Sequence, residues 1–444
     1  MPLVHVHGVA TRLSDKEERT QAHRTALYRA VLGPVLTASP SALTVLNPYW
    51  GDSAAAFAWN HASLPVGRSV EKFGGEGGDG GSEPDADAEV AAWLSVLTEL
   101  SEDAGRAPLV ALARQSPEDA VDLLWAVVAE RALPEEADAL AALGARASSA
   151  ARLASPEQWL SAQMTDGQLL DRLIAEAETE PDAGNGPVQS PAPVESFGRS
   201  RSTGHGRADH RKAVWRLREA VTRVGSAAPR GVSSGAMVLR GWMHRQTSVF
   251  LGDVLTYLRQ RETDGARGAI ARTVGDALAE GAKARTADDP LLVVVAHSMG
   301  GNIVYDLLSH LRPELECDVL VTVGSQVGLF AELGLLPAVP PPLDPATDRA
   351  PVPANVGHWI NVYDTTDVLG FATGRIFERG EDFRYSTGRG LLHAHSGYFL
   401  RPSFHHRLAE RLRARPGASP DQAPDTAGAT PTPAPAPAPA PAAE

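Results

Sequence analysis

The chain has 444 residues, enough for one large domain with an insertion or for two domains. Its formal net charge of −13 argues against nucleic acid as the main partner. A single cysteine, Cys317, excludes an intrachain disulfide and favours a reducing, cytoplasmic compartment. Since no apolar run reaches the roughly 18 residues of a membrane span, we expect no transmembrane segment. We also expect no secretory signal, because the N-terminus has no basic segment followed by an apolar one.

The N-terminal segment predicts a strand, a loop and a helix. Residues 3–9 alternate apolar residues with histidines and end in His-Gly-Val, which predicts a short strand. The helix is expected over roughly 15–32, because Ser14 is a suitable N-cap and Glu17 stands three residues after it. No carboxylate follows the two histidines closely enough to suggest a metal site, so we expect no metal here.

A second strand is expected over residues 42–46, and it leads into the aromatic segment 47–52. That segment either lines a substrate site or forms a surface turn with two packed aromatic rings. The sequence favours neither interpretation.

The middle of the chain predicts a helical insertion with flexible ends. Residues 74–87 are rich in glycine and acidic residues, and 181–207 are rich in proline, glycine and serine. Apolar residues between these two linkers recur at helical spacing. We therefore assign 74–265 to a helical insertion or cap, which we expect to pack beside or over the functional site.

The most informative stretch follows the insertion. Residues 291–295 are continuously apolar and rich in valine, as expected of a strand buried on both faces of a parallel sheet. From Asn302 onward, apolar residues recur at helical spacing. Between them, 296–301 read Ala-His-Ser-Met-Gly-Gly, which is the G-x-S-x-G nucleophile elbow with alanine in place of the first glycine.

Two more buried strands are expected after the elbow, at 319–325 and 359–363. The loop after the second one carries Asp364 and Asp367, and a later segment carries His393 and His395. Beyond residue 412 the chain becomes a proline- and alanine-rich tail, 413–444, which we expect to be disordered.

With the elbow in its strand–turn–helix context, the chain resembles the α/β-hydrolase superfamily, in particular its lipase- and esterase-like members. The resemblance covers residues 1–73 and 266–412, which we assign to the core. It implies a mostly parallel sheet flanked by helices, with a nucleophile, an acid and a histidine in that chain order. One departure is Gln326, which stands where related lipases carry proline.

The same resemblance implies roles for individual residues. Ser298 would be the nucleophile, and the N–H groups of Met299, Gly8 and Val9 would hold the oxyanion. The pattern Asp-Val favours Asp367 as the acid, because the family's acid lies several residues past its strand.

Two alternatives stay open. Asp364 is the alternative acid, although its position at the strand end suits a loop cap. His395, followed by a small residue and an aromatic one, is the preferred base, and His393 is the alternative.

The predicted function is a serine hydrolase that cleaves a carboxylic ester through an acyl-enzyme intermediate. The substrate would be a small-molecule or lipid-like acyl compound, and no cofactor is implied. Amide and thioester substrates use the same machinery, so an amidase or thioesterase is an alternative. A second alternative is a non-catalytic interaction protein that binds a protein partner through the helical insertion.

Overall fold

A computed structural model describes residues 2–59, 61–62, 107–153, 160–161, 164–178, 204–226, 235–287, 289–387 and 394–415, with the backbone alone at 204–207, 225–226 and 235–246. The helical stripe expected near residues 90–100, most of both linkers and nearly all of the C-terminal tail lie outside these ranges.

Six strands of the described residues form one sheet in which every neighbouring pair is parallel. They are β1 (Pro2–Val6), β2 (Thr44–Leu46), β3 (Val293–His297), β4 (Cys317–Val323), β5 (Val356–Tyr363) and β6 (Gly380–Arg384). Their spatial order is β2-β1-β3-β4-β5-β6. The strand before the elbow, β3, is therefore central and has neighbours on both sides.

The described helices are α1 (Asp15–Leu27), α2 (Gly33–Leu36), α3 (Pro108–Gln115), α4 (Pro117–Ala129), α5 (Ala137–Leu153), α6 (Asp166–Glu178), α7 (Gly204–Ser226), α8 (Gly235–Asp264), α9 (Ala269–Lys283), α10 (Met299–Asp306), α11 (Val327–Glu332) and α12 (Pro402–Ala414). A π-helical turn, Tyr28–Leu32, prolongs α1, so the predicted helix over 15–32 has two parts.

Both faces of the sheet are covered, because successive residues of a strand point to opposite sides. Val294 packs in one core with residues of α9 and α10. Val293 and Val295 pack in a second core with residues of α12 and of the π-helical turn. This explains why residues 293–296 of β3 are all apolar. The expected parallel sheet flanked by helices is confirmed.

Helices α3 to α7 enclose an apolar core of their own. This helical segment packs on α1 and α12, where Ala137 and Ala141 contact Ala26 and Leu27. A buried polar contact adds to the junction, since Asp122 of α4 accepts hydrogen bonds from Ser403 of α12.

Helix α8 falls within the range assigned to the insertion, but side chains of its C-terminal half pack against the core that contains β3. Tyr257 is buried in the core that contains β3, and Val254 and Leu258 pack against the same core. The division into core and insertion stays a prediction. Among the described residues, no helix is both long and apolar enough to cross a membrane.

Candidate active site

Ser298 lies in a strained turn between β3 and α10. Its φ of 53° and ψ of −129° lie in a region that non-glycine residues rarely adopt. The turn is held from both sides, because the Ser298 N–H donates to Val323 O at 2.9 Å and Ser325 Oγ donates to Ser298 O at 2.9 Å.

Small residues are required around this turn. A Cβ atom at Gly300 would lie 2.7 Å from the carbonyl oxygens of Val6 and His7, and one at Gly301 would collide with the side chain of Ser325. The strand–turn–helix geometry matches the elbow expected from the sequence.

The structure brings the three preferred site residues together. His395 Nε2 lies 2.8 Å from Ser298 Oγ, and His395 Nδ1 lies 3.0 Å from each carboxylate oxygen of Asp367. A carboxylate only accepts, so Nδ1 carries the proton and Nε2 of the neutral ring accepts from the serine hydroxyl. This is the arrangement in which histidine acts as a general base toward serine.

The hydrogen bonds of Asp367 favour its ionised form. Burial by itself raises the pKa of its carboxyl, but hydrogen bonds from His395, Leu369 N–H and Tyr398, together with the charge of His395, bring the pKa below its ordinary value. A charged carboxylate at this position keeps the imidazole in one tautomer and stabilises its protonated form.

The alternative acid, Asp364, has a different set of partners. Its carboxylate accepts hydrogen bonds from the N–H and Oγ1 of Thr366 and from the N–H and Oγ1 of Thr387. These contacts tie two loop segments together, while His395 Nδ1 is paired with Asp367. The alternative base, His393, lies outside the described residues.

Tyr398, which was not predicted from the sequence, bridges the two aspartates. Its hydroxyl donates to Asp367 Oδ2 at 2.9 Å and accepts from the N–H of Asp364 at 2.9 Å. The only signal in the sequence was an aromatic residue three positions after His395. That spacing gives no indication of a hydrogen bond to the acid.

His297, directly before the nucleophile, was also missed. A carbonyl only accepts, so His297 Nε2–H donates to the carbonyl oxygen of His395, 2.8 Å away. The two imidazole rings lie 4.8 Å apart. Burial, with the charge of His395 second, lowers the pKa of His297 to about 3, so this ring stays neutral while it anchors the segment that carries His395.

Loop 8–12 approaches the nucleophile closely. A Cβ at Gly8 would lie 2.6 Å from Ser298 Cβ and 3.2 Å from Ser298 Oγ, so only glycine fits. Trp50 Nε1 donates to His7 O at 3.0 Å, and Gly8 O accepts from His7 Nδ1 at 2.8 Å and from Thr11 Oγ1 at 3.2 Å.

These contacts fix the predicted oxyanion donors indirectly. In a trans peptide unit the C=O and the next N–H point in opposite directions. Donors at His7 O and Gly8 O therefore set the directions of the Gly8 and Val9 N–H groups. The Met299 N–H belongs to the first turn of α10, where helical N–H groups have no partner within the helix.

His7 is held neutral as part of this arrangement. Its Nε2 accepts from the N–H of Trp50 at 3.1 Å, and its ring stacks on the indole at 4.7 Å. Burial lowers the pKa of His7 to about 4, against a smaller opposing effect of its hydrogen bond to Gly8 O. The aromatic segment 47–52 thus holds His7, the residue directly before loop 8–12.

Within the part of the chain that the structure describes, no group of three or more His, Cys, Asp or Glu side chains is arranged to hold a metal ion. Comparison of the chain with family models, with curated proteins and with solved structures found no match.

Proposed function

We propose that the protein is a serine hydrolase that cleaves a carboxylic ester, with Ser298 as nucleophile, His395 as general base and acid, and Asp367 as the orienting carboxylate. The proposal depends on one observation: the imidazole of His395 contacts both other residues at once. Its Nε2 lies 2.8 Å from Ser298 Oγ, and its Nδ1 lies 3.0 Å from Asp367 Oδ1. A serine hydroxyl becomes a useful nucleophile only with such a base within hydrogen-bond reach.

The chemistry follows from these positions. Ser298 Oγ attacks the acyl carbon while its proton passes to His395 Nε2, and the carbonyl oxygen becomes an oxyanion. The N–H groups of Met299 and of Val9 or Gly8 stabilise that charge. Collapse of the intermediate breaks the bond to the alcohol, which takes the proton from His395.

The acyl-enzyme is then hydrolysed. Water attacks the ester formed with Ser298, and His395 removes one of its protons. The second tetrahedral intermediate collapses to the carboxylic acid, and Ser298 recovers its proton from His395. All steps use groups that are already in contact, so no rearrangement of the three side chains is required between the two halves.

We further propose that the architecture is an α/β-hydrolase fold with a helical insertion. Its support is the parallel sheet with the serine at the carboxyl end of a central strand, β3, and the strained turn into α10. In open α/β sheets, functional sites lie at the carboxyl ends of the strands.

The direct test compares Ser298→Ala with Ser309→Ala. Ser309 is a matched control because its hydroxyl donates to Tyr305 O, away from His395. With p-nitrophenyl esters, we expect Ser298→Ala to lose on the order of 10⁴-fold or more in turnover. The control is expected to keep wild-type turnover and labelling by a fluorophosphonate.

The substrate panel should include an ester, a thioester and an amide, because all three use the same machinery. Turnover of the amide or thioester alone would revise the substrate class. If the folded wild-type protein neither turned over the panel nor reacted with the fluorophosphonate, a non-catalytic binding role would replace this proposal.

A further inference from the structure

Asp253 of α8 makes an unusually complete set of contacts for a buried carboxylate. Its side chain has 0% exposure. Oδ2 accepts from the N–H of Ala10 at 2.8 Å, and Oδ1 accepts from the N–H of Ala55 at 3.0 Å. The guanidinium of Arg12 donates to both oxygens, at 2.7 and 3.1 Å. One side chain thus joins α8 to loop 8–12 and to Ala55, which follows the aromatic segment 47–52.

The bond to Ala10 acts where the backbone is strained. Ala10 has a φ of 60°, a left-handed conformation that costs a non-glycine residue free energy unless its surroundings hold it. The bond fixes the peptide unit between Val9 and Ala10, and the donors at Gly8 O fix the unit before it. The Gly8–Val9 unit carries the Val9 N–H, and the bond to Asp253 holds the next unit, so the backbone of Val9 is held on both sides.

We propose that Asp253 is a positioning residue that holds loop 8–12 in the conformation needed for the oxyanion donors. The inference rests on the proposed hydrolase function for its catalytic consequence. Asp253 binds the loop rather than Ser298 or His395, so it acts on the reaction through the loop backbone. Through Asp253, helix α8 holds loop 8–12 in place, although its sequence lies in the predicted insertion.

The chain supplies a matched control at another contact of the same helix, α8. Asp306 of α10 has 0% side-chain exposure and accepts from Arg261 Nη1 at 2.9 Å and from Tyr257 Oη at 2.8 Å. Both donors belong to α8. Asp306 and Asp253 are therefore two buried carboxylates that each pair with an arginine across an α8 interface. Only Asp253 contacts loop 8–12.

The experiment compares Asp253→Asn with Asp306→Asn, since each change removes a charge and keeps the side-chain shape. Loss of one oxyanion donor typically lowers kcat about 100-fold or more, so we expect Asp253→Asn to reduce kcat by about 10- to 100-fold with little change in KM. A boronic acid, which forms a tetrahedral adduct with serine, should lose affinity in parallel. Asp306→Asn should change neither quantity by more than about threefold, even if it unfolds at a lower urea concentration.

Hydrogen exchange gives a readout that does not depend on activity. The peptide that contains residues 8–12 should exchange faster in Asp253→Asn than in the wild type and in Asp306→Asn. If Asp253→Asn does not fold, Arg12→Lys replaces it, because lysine keeps the charge but lacks the planar fork whose two nitrogens donate in parallel to the carboxylate. That variant should show a smaller change in the same direction.

The outcomes separate the two proposals. Absence of turnover and labelling in the wild type would remove the hydrolase function, while faster exchange of loop 8–12 would still support the structural part of the inference. Wild-type kcat, boronate affinity and exchange in folded Asp253→Asn would overturn the inference and leave the hydrolase function intact. Equal losses in both variants would also overturn it, because they would indicate a general effect of α8 docking.

Discussion

Replacing Asp367 by Asn tests the role of the carboxylate at the centre of the proposed site. Both carboxylate oxygens lie 3.0 Å from His395 Nδ1. An amide can turn its NH₂ toward the ring, which moves the ring proton to Nε2 and removes the acceptor for the Ser298 proton. In a comparable triad this change costs about 10⁴-fold in kcat, which corresponds to about 5.5 kcal/mol of transition-state stabilisation.

Asp364→Asn is the matched variant three residues earlier in the same loop. The Asp364 carboxylate accepts four hydrogen bonds from Thr366 and Thr387. Its conversion to an amide turns one acceptor into a donor that faces other donors. We expect a loss of about 1–3 kcal/mol in the free energy of unfolding. Because His395 keeps its partner, turnover should change much less than in Asp367→Asn.

The assay combines turnover of a p-nitrophenyl ester, the rate of fluorophosphonate labelling and urea unfolding of both variants. Far-UV circular dichroism identifies folded material before the rates are compared. The assignment of Asp367 as the acid would be wrong if folded Asp364→Asn lost activity on the 10⁴-fold scale, or if the activity of Asp367→Asn stayed within about tenfold of the wild type.

Three further predictions concern other residues of the structure. Tyr398→Phe removes a donor to Asp367, so kcat should fall by roughly tenfold, the value of one modest hydrogen bond, and unchanged kcat would exclude a role in the reaction. Gly8→Ala places a methyl group 2.6 Å from Ser298 Cβ, so labelling by a fluorophosphonate should become very slow, and wild-type labelling would contradict the close approach. Burial lowers the pKa of His405 to about 3, so only the unfolded chain takes up this proton below about pH 6.5, and stability falls as the pH falls. Between pH 7.5 and 5.5 the free energy of unfolding should therefore decrease by about 1.4 kcal/mol more in the wild type than in His405→Gln, as measured by urea titration, and equal decreases would show that His405 does not contribute.

Much of the local structure could be predicted from short-range patterns. Ser14 does cap the first helix, since its side chain accepts from Glu17 N–H at 3.2 Å. The apolar run before the elbow is strand β3, which begins and ends two residues later than the run itself. The strand Gly380–Arg384 was not predicted, because it lies at the sheet edge and has no buried residue. An edge strand without an apolar face gives no periodic signal.

The choice between two nearby acids could not be made firmly from the sequence. Asp364 and Asp367 are three residues apart in one loop, and both follow β5. Which carboxylate reaches His395 depends on how the loop folds over Thr366 and on its contact with Thr387. The sequence favoured Asp367 through its resemblance to a lipase pattern, and the structure brings that carboxylate to the histidine.

The sequence by itself determined the elements with local causes: the buried central strand, the turn that needs small residues around Ser298, and the chain order of serine, acid and histidine. Tertiary structure decided the contacts that support them. Asp253 meets Ala10 across 243 positions of the chain, and His395 meets Ser298 across 97. Hydrophobic periodicity is a property of neighbouring residues, so it predicts strands and helices. Hydrogen bonds between distant loops depend on how those elements pack, and no local pattern records them.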